Sequence, residues 1–278
     1  MNYDISNQEF QLLADFIYKE IGISLSIQKK TLVKGRLSKR LRHLNLNTFR
    51  EYYDYLLRDK SGEELLMLTN EISTNVTSFF REPNQWIYLE EELEYQIKNN
   101  KEKKLRIWSS ACSSGQEPYT IIMFLMNNIK DIRKWDIKIL ATDISEEILL
   151  KAQEGIYKQS DIQGLPLQMQ KHYFNYNKKN NTYEIKKELK DYITFRSFNL
   201  VLGNYSILKN ETFDWIFCRN VMIYFDNPTK QKVVSNLLSK LKKMGHFLIG
   251  HSESLVTIGD KKDSNIELKE SSIYRKRK

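Results

Sequence analysis

A short apolar run, Leu105 to Ser109, leads into a turn of small residues with one glycine, Gly115, and then into a helical pattern opened by Pro118. A strand, tight turn and helix in that order aim backbone N–H groups at whatever lies beyond the carboxyl end of the strand. The next strand, Ile137 to Thr142, ends one residue before Asp143. An acid at that place, one βαβ unit after the glycine turn, is either a ribose-holding carboxylate or a turn aspartate ahead of Ile144 and Ser145. The rest follows the same alternation. Ser145 caps a helix beginning Glu146, Glu147, Ile148 and Leu149; Phe213 to Cys218 is a strand; a helix runs from Pro228 to Lys243; Gly245 breaks it; Phe247 to Ile249 is a last strand. Such alternation implies a Rossmann-like α/β fold, a parallel sheet with helices on both faces.

Before Lys104 the pattern is of another kind. From Asn7 to about Asn100 it is helical, with almost no Gly or Pro, and Phe10, Leu13, Phe16, Ile17 and Ile21 share one face, as do Phe49, Tyr52, Tyr53, Leu56 and Leu57. From Ile21 to Arg50 there is no Asp or Glu, while Lys29, Lys30, Lys34, Arg36, Lys39, Arg40, Arg42 and Arg50 all fall there. On a helix Val33, Leu37, Leu41 and Leu44 make an inward stripe, and Arg36, Arg40 and His43 share an outward face. The absence of interleaved acids favours a docking surface over a merely solvated one. The segment 156–193 interrupts the α/β rhythm with a LeuProLeu turn at Leu165, an aromatic pair Tyr173 and Phe174, and a polar loop at Asn177 to Thr182, which reads as an inserted antiparallel β subdomain. The expected division is an all-helical domain over 1–72, a bridging linker and helix over 73–103, and an α/β domain over 104–278 carrying that insert.

The chemistry of the turn narrows the ligand. GxGxxG is absent, and the helix after Gly115 starts with Glu117 instead of a basic, phosphate-holding residue. A carboxylate there suits a cationic group and discourages a pyrophosphate. A ribose without pyrophosphate, near an acid able to face an amino or sulfonium group, points to S-adenosylmethionine in preference to NAD or ATP. Four scattered His and two separated Cys offer no metal-ligand spacing, so no metal is expected. The His251 and Glu253 of GHSES invite a serine triad, but no glycine elbow precedes a serine, and hydrolase chemistry is not expected. The net charge of +9 favours an acidic macromolecular partner. A nucleic-acid methyltransferase is disfavoured because ArgAsnValMetIleTyr at Arg219 to Tyr224 is not the Asn/Asp, Pro, Pro, aromatic type that holds a flipped base. A non-catalytic adaptor is the remaining alternative. No run of about 18 apolar residues occurs, and the start MNYDISNQEF lacks a basic and apolar leader, so a cytoplasmic protein without membrane insertion is expected.

Six stretches in register, ISTNVTSFFREPNQW from Ile72, WSSACSSGQEPYT from Trp108, ATDIS from Ala141, FRSFNL ending at Leu200, FCRNVMIYFD from Phe217 and GHSES from Gly250, closely resemble CheR. CheR proteins are chemotaxis methyltransferases that methylate receptor glutamates. The resemblance covers nearly the whole chain and implies a protein-glutamate O-methyltransferase, acting as a monomer on the cytoplasmic helical domain of methyl-accepting chemotaxis receptors and recruited to membrane-bound receptor arrays. It implies S-adenosylmethionine as cofactor and S-adenosylhomocysteine as product. By position it assigns Asn75, Thr77, Arg81, Glu117, Asp143, Asn199, Leu200, Arg219 and Asn220 to the cofactor, and Arg81 and Tyr224 to the neighbourhood of the transferred methyl. The basic face around Arg36 and Arg40 would bind the receptor's acidic helices. The loop at Asn177 to Thr182 lacks the glycine associated with a receptor-peptide grip in some CheR proteins, so no such tether is expected.

Overall fold

The computed structural model describes residues 3–255 and 265–277. The chain divides into two compact units, one comprising 1–74 with 224–229, the other 75–223 with 230–278.

The first unit is helical, with α1 (Asn7–Ile21), α2 (Lys30–His43), α3 (Phe49–Arg58) and α4 (Glu63–Ile72). Ser6 and Glu9 form a reciprocal capping box at the start of α1, and Gly22 ends it in the left-handed region at φ 88°. The expected inward stripe of α2 holds for Val33, Leu37 and Leu41, all buried. The outward face expected of Arg36 and Arg40 does not. Arg40 donates from both Nε and Nη2 to the two carboxylate oxygens of Glu64, at 3.0 and 2.6 Å, and the Tyr52 hydroxyl adds a bond of 2.8 Å to the same buried acid. Arg36 donates to the carbonyls of Ile72 and Ser73 and to Thr74 Oγ1, satisfying the carbonyl end of α4. Both arginines are half-buried, and both serve to fasten α2 to α4. Lys39, Arg42 and His43 are the exposed basic residues of that helix.

The second unit opens with α5 (Pro83–Asn99), then β1 (Lys104–Ser109), α6 (Gln116–Asn128), β2 (Asp136–Asp143) and α7 (Glu146–Glu154). The insert holds β3 (Ile156–Lys158), α8 (Gln159–Ile162), α9 (Leu167–Tyr173), β4 (Phe174–Asn177), β5 (Thr182–Ile185) and α10 (Lys187–Lys190). After it come β6 (Ile193–Ser197), β7 (Phe213–Cys218), α11 (Asn227–Lys240), β8 (Leu241–Ile249), β9 (Ile266–Glu270) and β10 (Ile273–Lys276). The main sheet has the order β6-β2-β1-β7-β8-β10-β9, parallel from β6 to β8, with β10 antiparallel to both β8 and β9. The insert's strands pair antiparallel as β3-β5-β4. The core about the main sheet is aromatic: Trp108, Tyr119, Trp215, Phe217 and Phe247 are buried, and each such ring contributes of order 2 kcal/mol on removal from water.

Two boundaries differ from expectation. The helix α11 stops at Lys240, because Leu241 already pairs with Phe213 of β7, and Gly245 lies inside β8 where the register shifts. A Cβ there would stand 2.8 Å from the Asp214 carbonyl, so the glycine permits close strand approach and does not end a helix. The β9–β10 pair was not anticipated from the sequence at all.

Candidate functional site

The sheet itself marks a binding place. From β1 the chain crosses to β2 and on to β6 in one direction, then returns to β7 on the other side of β1. The crevice beyond the carboxyl ends of β1 and β7 is therefore the point where strand order reverses, the usual ligand position of such sheets. The turn after β1 is fixed there by ties to both neighbours. Ser110 donates its backbone N–H and its hydroxyl to the Phe217 carbonyl, both at 2.8 Å, and the Cys112 N–H donates to the Thr142 carbonyl at 2.8 Å. Gly115 has φ 93°, and a Cβ on it would come within 3.1 Å of Tyr119, Tyr157 and Ala152. The glycine is needed for this packing and for its backbone angle, not to admit a ligand.

Asp143 stands at the end of β2, buried. It accepts N–H bonds from Ser113 at 2.8 Å on one oxygen and from Ser145 at 3.1 Å on the other. The turn-aspartate role is thus filled. Three N–H groups take at most three of the carboxylate's four lone-pair sites, which leaves acceptor capacity for a ligand hydroxyl. Burial pushes its carboxyl above the usual range, opposed by the N–H groups of Ser145, Ser113 and Ile144. Glu117, in the first turn of α6, accepts from the Ser109 hydroxyl at 2.6 Å and from Arg219 Nη1 at 3.0 Å. Burial raises its carboxyl too, with Arg219 and Ser109 pulling it down and Glu82 pushing it further up.

Arg219, at the end of β7, is the hub of this group. Besides Glu117 it meets Glu82, 3.2 Å from Nη2, and donates to the Arg81 carbonyl at 2.6 Å. The cation facing Glu117 is thus supplied by the protein itself. Two carboxyl groups face this one guanidinium, which leaves acceptor capacity for an ammonium group of a ligand.

Asn220 has φ 57° and gives its N–H to Glu253 at 2.9 Å. Asn199 Oδ1 accepts from the N–H groups of Val201 and Leu202, and the Leu200 carbonyl accepts from the Tyr205 hydroxyl. The Asn75 carbonyl accepts from the Ser113 hydroxyl at 3.2 Å, beside the glycine turn. Thr77 is half-buried two residues further on. The half-buried Arg81 donates from Nη1 to the Val76 carbonyl at 3.0 Å.

Tyr224 belongs to the helical unit. Its carbonyl accepts from Ser24 N–H at 2.9 Å, and Lys29 Nζ lies 5.1 Å from its ring centroid. Glu253 accepts N–H bonds from Gly250, Asn220 and Ile223 at 2.7 to 3.3 Å, which commits it to the backbone instead of a His251 triad. Burial raises the thiols of Cys112 and Cys218, and neither is in a disulfide.

Glu82 is a residue of this group that the sequence reading missed, and Glu253, weighed there only as a triad member, instead anchors backbone N–H groups. Glu82 follows Arg81 and precedes Pro83 at the start of α5, yet makes no side-chain cap bond. An acid before a helix-opening proline was the available signal.

The donor set fits S-adenosylmethionine. Two buried acids offer acceptors to hydroxyl and ammonium groups, and no Lys or Arg occurs from Ser110 to Glu117 for a pyrophosphate. Residues 8–73 match the family model described as CheR methyltransferase, all-alpha domain, and residues 75–270 match the model described as CheR methyltransferase, SAM binding domain. The chain is 39% identical over 260 residues to a chemotaxis protein methyltransferase of Borreliella burgdorferi, covering 92% of this chain and 91% of that protein. It is 34% identical over 253 residues to the chemotaxis protein methyltransferase of Escherichia coli, covering 90% and 85%. Both domain models and these relatives agree along almost the entire sequence, and this chain belongs to the CheR methyltransferase family, whose enzymes use S-adenosylmethionine.

Proposed function

We propose that this protein transfers the methyl group of S-adenosylmethionine to glutamate side-chain carboxylates of methyl-accepting chemotaxis receptors, giving glutamate methyl esters. The observation that carries the reading is the match to chemotaxis protein methyltransferases over nine-tenths of the chain, with Arg81, Glu117, Asp143 and Arg219 all in place. What the cofactor supplies is a methyl group on an already activated sulfonium.

A glutamate carboxylate, with a pKa of about 4.3, is ionised at neutral pH and needs no base. The residues therefore act by holding and excluding. Asp143 takes the ribose hydroxyls and Glu117 faces the amino acid portion, with Asn199 and Leu200 beside the adenine. Asn75, Thr77 and Asn220 complete the cofactor's surroundings. Arg81 orients the incoming carboxylate by a two-pronged contact, since the Val76 carbonyl occupies only one of its five N–H donors. A guanidinium cannot serve as base. Tyr224 borders the transferred methyl. Most of the acceleration comes from in-line positioning, for which effective molarities of roughly 10⁵ to 10⁸ M set the scale.

Docking to the acidic receptor helices falls to the exposed Lys39, Arg42 and His43 of α2, with Arg36 and Arg40 holding that helix in place. The protein acts as a monomer in the cytoplasm and is recruited to receptor arrays. Incubation with labelled cofactor and receptor-bearing membranes tests the reading. Label in the receptor supports it, and label in nucleic acid or in nothing refutes it.

A further inference from the structure

Arg81 sits in a turn whose backbone is unusual on both sides. Phe80 has φ 49° and Glu82 φ 59°, so two non-glycine residues flanking it occupy the left-handed region. Such conformations persist only where their surroundings over-determine them, and they cluster at functional sites. Three ties hold this one. The Phe80 N–H donates to Thr120 Oγ1 at 3.1 Å. The Arg81 carbonyl receives Arg219 Nη2 at 2.6 Å and Trp86 Nε1 at 3.1 Å. The third tie is the Glu82 carboxylate, whose side chain is only 9% exposed. One of its oxygens faces Arg219, and the other accepts from the His251 N–H at 3.0 Å and from Asn220 Nδ2 at 3.5 Å.

A half-buried acid that opens a helix and yet leaves that helix uncapped is committed elsewhere. Glu82 bridges the turn carrying Arg81 to the ends of both β7 and β8. From the opposite side Glu253 collects the N–H groups of Gly250, Asn220 and Ile223, so the segment after β7 is gripped between two carboxylates.

We propose that Glu82 is a positioning residue for methyl transfer: its carboxylate locks the Phe80–Glu82 turn against Arg219, Asn220 and the loop after β8, and thereby sets where the Arg81 guanidinium stands. The inference rests on the reading of Arg81 as the residue that orients the acceptor carboxylate.

The test uses the full chain with Glu82→Ala and Glu82→Gln. It measures kcat and KM for methyl transfer to a receptor cytoplasmic fragment, S-adenosylhomocysteine affinity by calorimetry, and the Trp86 indole N–H resonance, assigned with Trp86→Phe. Glu82→Ala is expected to lower kcat by roughly 10- to 100-fold, the scale of a displaced orienting group, with KM changed less than about twofold. The Trp86 resonance shifts, because its acceptor is the Arg81 carbonyl. Glu82→Gln, which keeps an acceptor for His251 but loses the charge facing Arg219, recovers part of kcat without reaching the wild-type value.

A folded Glu82→Ala protein with unchanged kcat and an unmoved Trp86 resonance overturns the proposal. So does a loss confined to S-adenosylhomocysteine affinity, which would make Glu82 a cofactor residue. If Glu82→Ala does not fold, Glu82→Gln decides, and a wild-type kcat in that variant is the overturning result. Should the wild-type protein methylate no receptor carboxylate, the functional reading fails separately, and the Trp86 resonance alone then judges the turn.

Discussion

Arg219 and Glu117 are joined by a buried ion pair, Nη1 to carboxylate oxygen at 3.0 Å, that ties the end of β7 to the first turn of α6. Arg219 also faces Glu82, so its removal strands the buried Glu117 and the half-buried Glu82. Arg219→Met should destabilise the second unit by about 3–5 kcal/mol, the cost of leaving buried charge unpaired. All four tryptophans, Trp86, Trp108, Trp135 and Trp215, lie in that unit, so urea unfolding followed by tryptophan fluorescence reports it alone. Adding Glu117→Gln should restore part of the loss, and strictly additive effects would show that the pair is not coupled.

Arg81, proposed to orient the acceptor carboxylate, should separate binding from chemistry. Among the described residues its side chain is hydrogen-bonded only to the Val76 carbonyl. Arg81→Ala should leave S-adenosylhomocysteine affinity within about threefold while methyl transfer falls roughly 100-fold, and Arg81→Lys should not rescue it because an ammonium lacks the planar fork. Equal losses in calorimetry and in the transfer assay would assign Arg81 to the cofactor instead.

Arg40 is expected to behave as a structural residue. With Glu64 buried and bonded by both Arg40 and Tyr52, Arg40→Ala should destabilise the helical unit by about 3 kcal/mol. Hydrogen exchange of the α4 amides measures this. The double change Lys39→Glu with Arg42→Glu touches exposed charges, and should raise KM for receptor roughly tenfold without altering that exchange. An unchanged KM would remove α2 from the docking surface.

His246 gives the fold a pH signature. Its ring is wholly buried, 3.2 Å from the Tyr88 hydroxyl and 3.8 Å from Glu92, with Arg275 and Lys269 nearby. Burial lowers its pKa from 6.5 to about 4, with Arg275 and Lys269 adding to the effect and Glu267 opposing it. The unfolded chain therefore takes up the proton first. The stability from neutral His246 is complete above pH 6.5 and is lost as pH falls towards 4. At about pH 5 the loss should be about 2 kcal/mol, and His246→Gln should flatten that part of the urea-stability profile. Parallel profiles for the two proteins would contradict the assignment.

How far the sequence could be read depended on whether the deciding contact was local. The β1 strand, the Gly115 turn and the β2 strand ending at Asp143 were legible because strand alternation, a turn glycine and a helix cap are all signals within a dozen residues. The cap at Ser145 is observed as expected, accepting from the Ile148 N–H. Leu241 to Lys243 reads as helix, since Leu and Lys favour one, and becomes strand only because β7 lies alongside it. Arg40 looked outward because its partner Glu64 is 24 residues away on another helix. Glu82 was passed over for the same reason, with its partners Asn220 and His251 lying 138 and 169 residues further along the chain.

A methyl ester of a glutamate carboxylate is labile to alkali, and that lability distinguishes this acceptor from others. The protein would be incubated with methyl-labelled S-adenosylmethionine and a receptor cytoplasmic fragment, the product treated with mild alkali, and the modified residue located by mass spectrometry. The account predicts label on glutamate side chains that alkali releases as methanol. Alkali-stable label, or label on any other residue type, would contradict it.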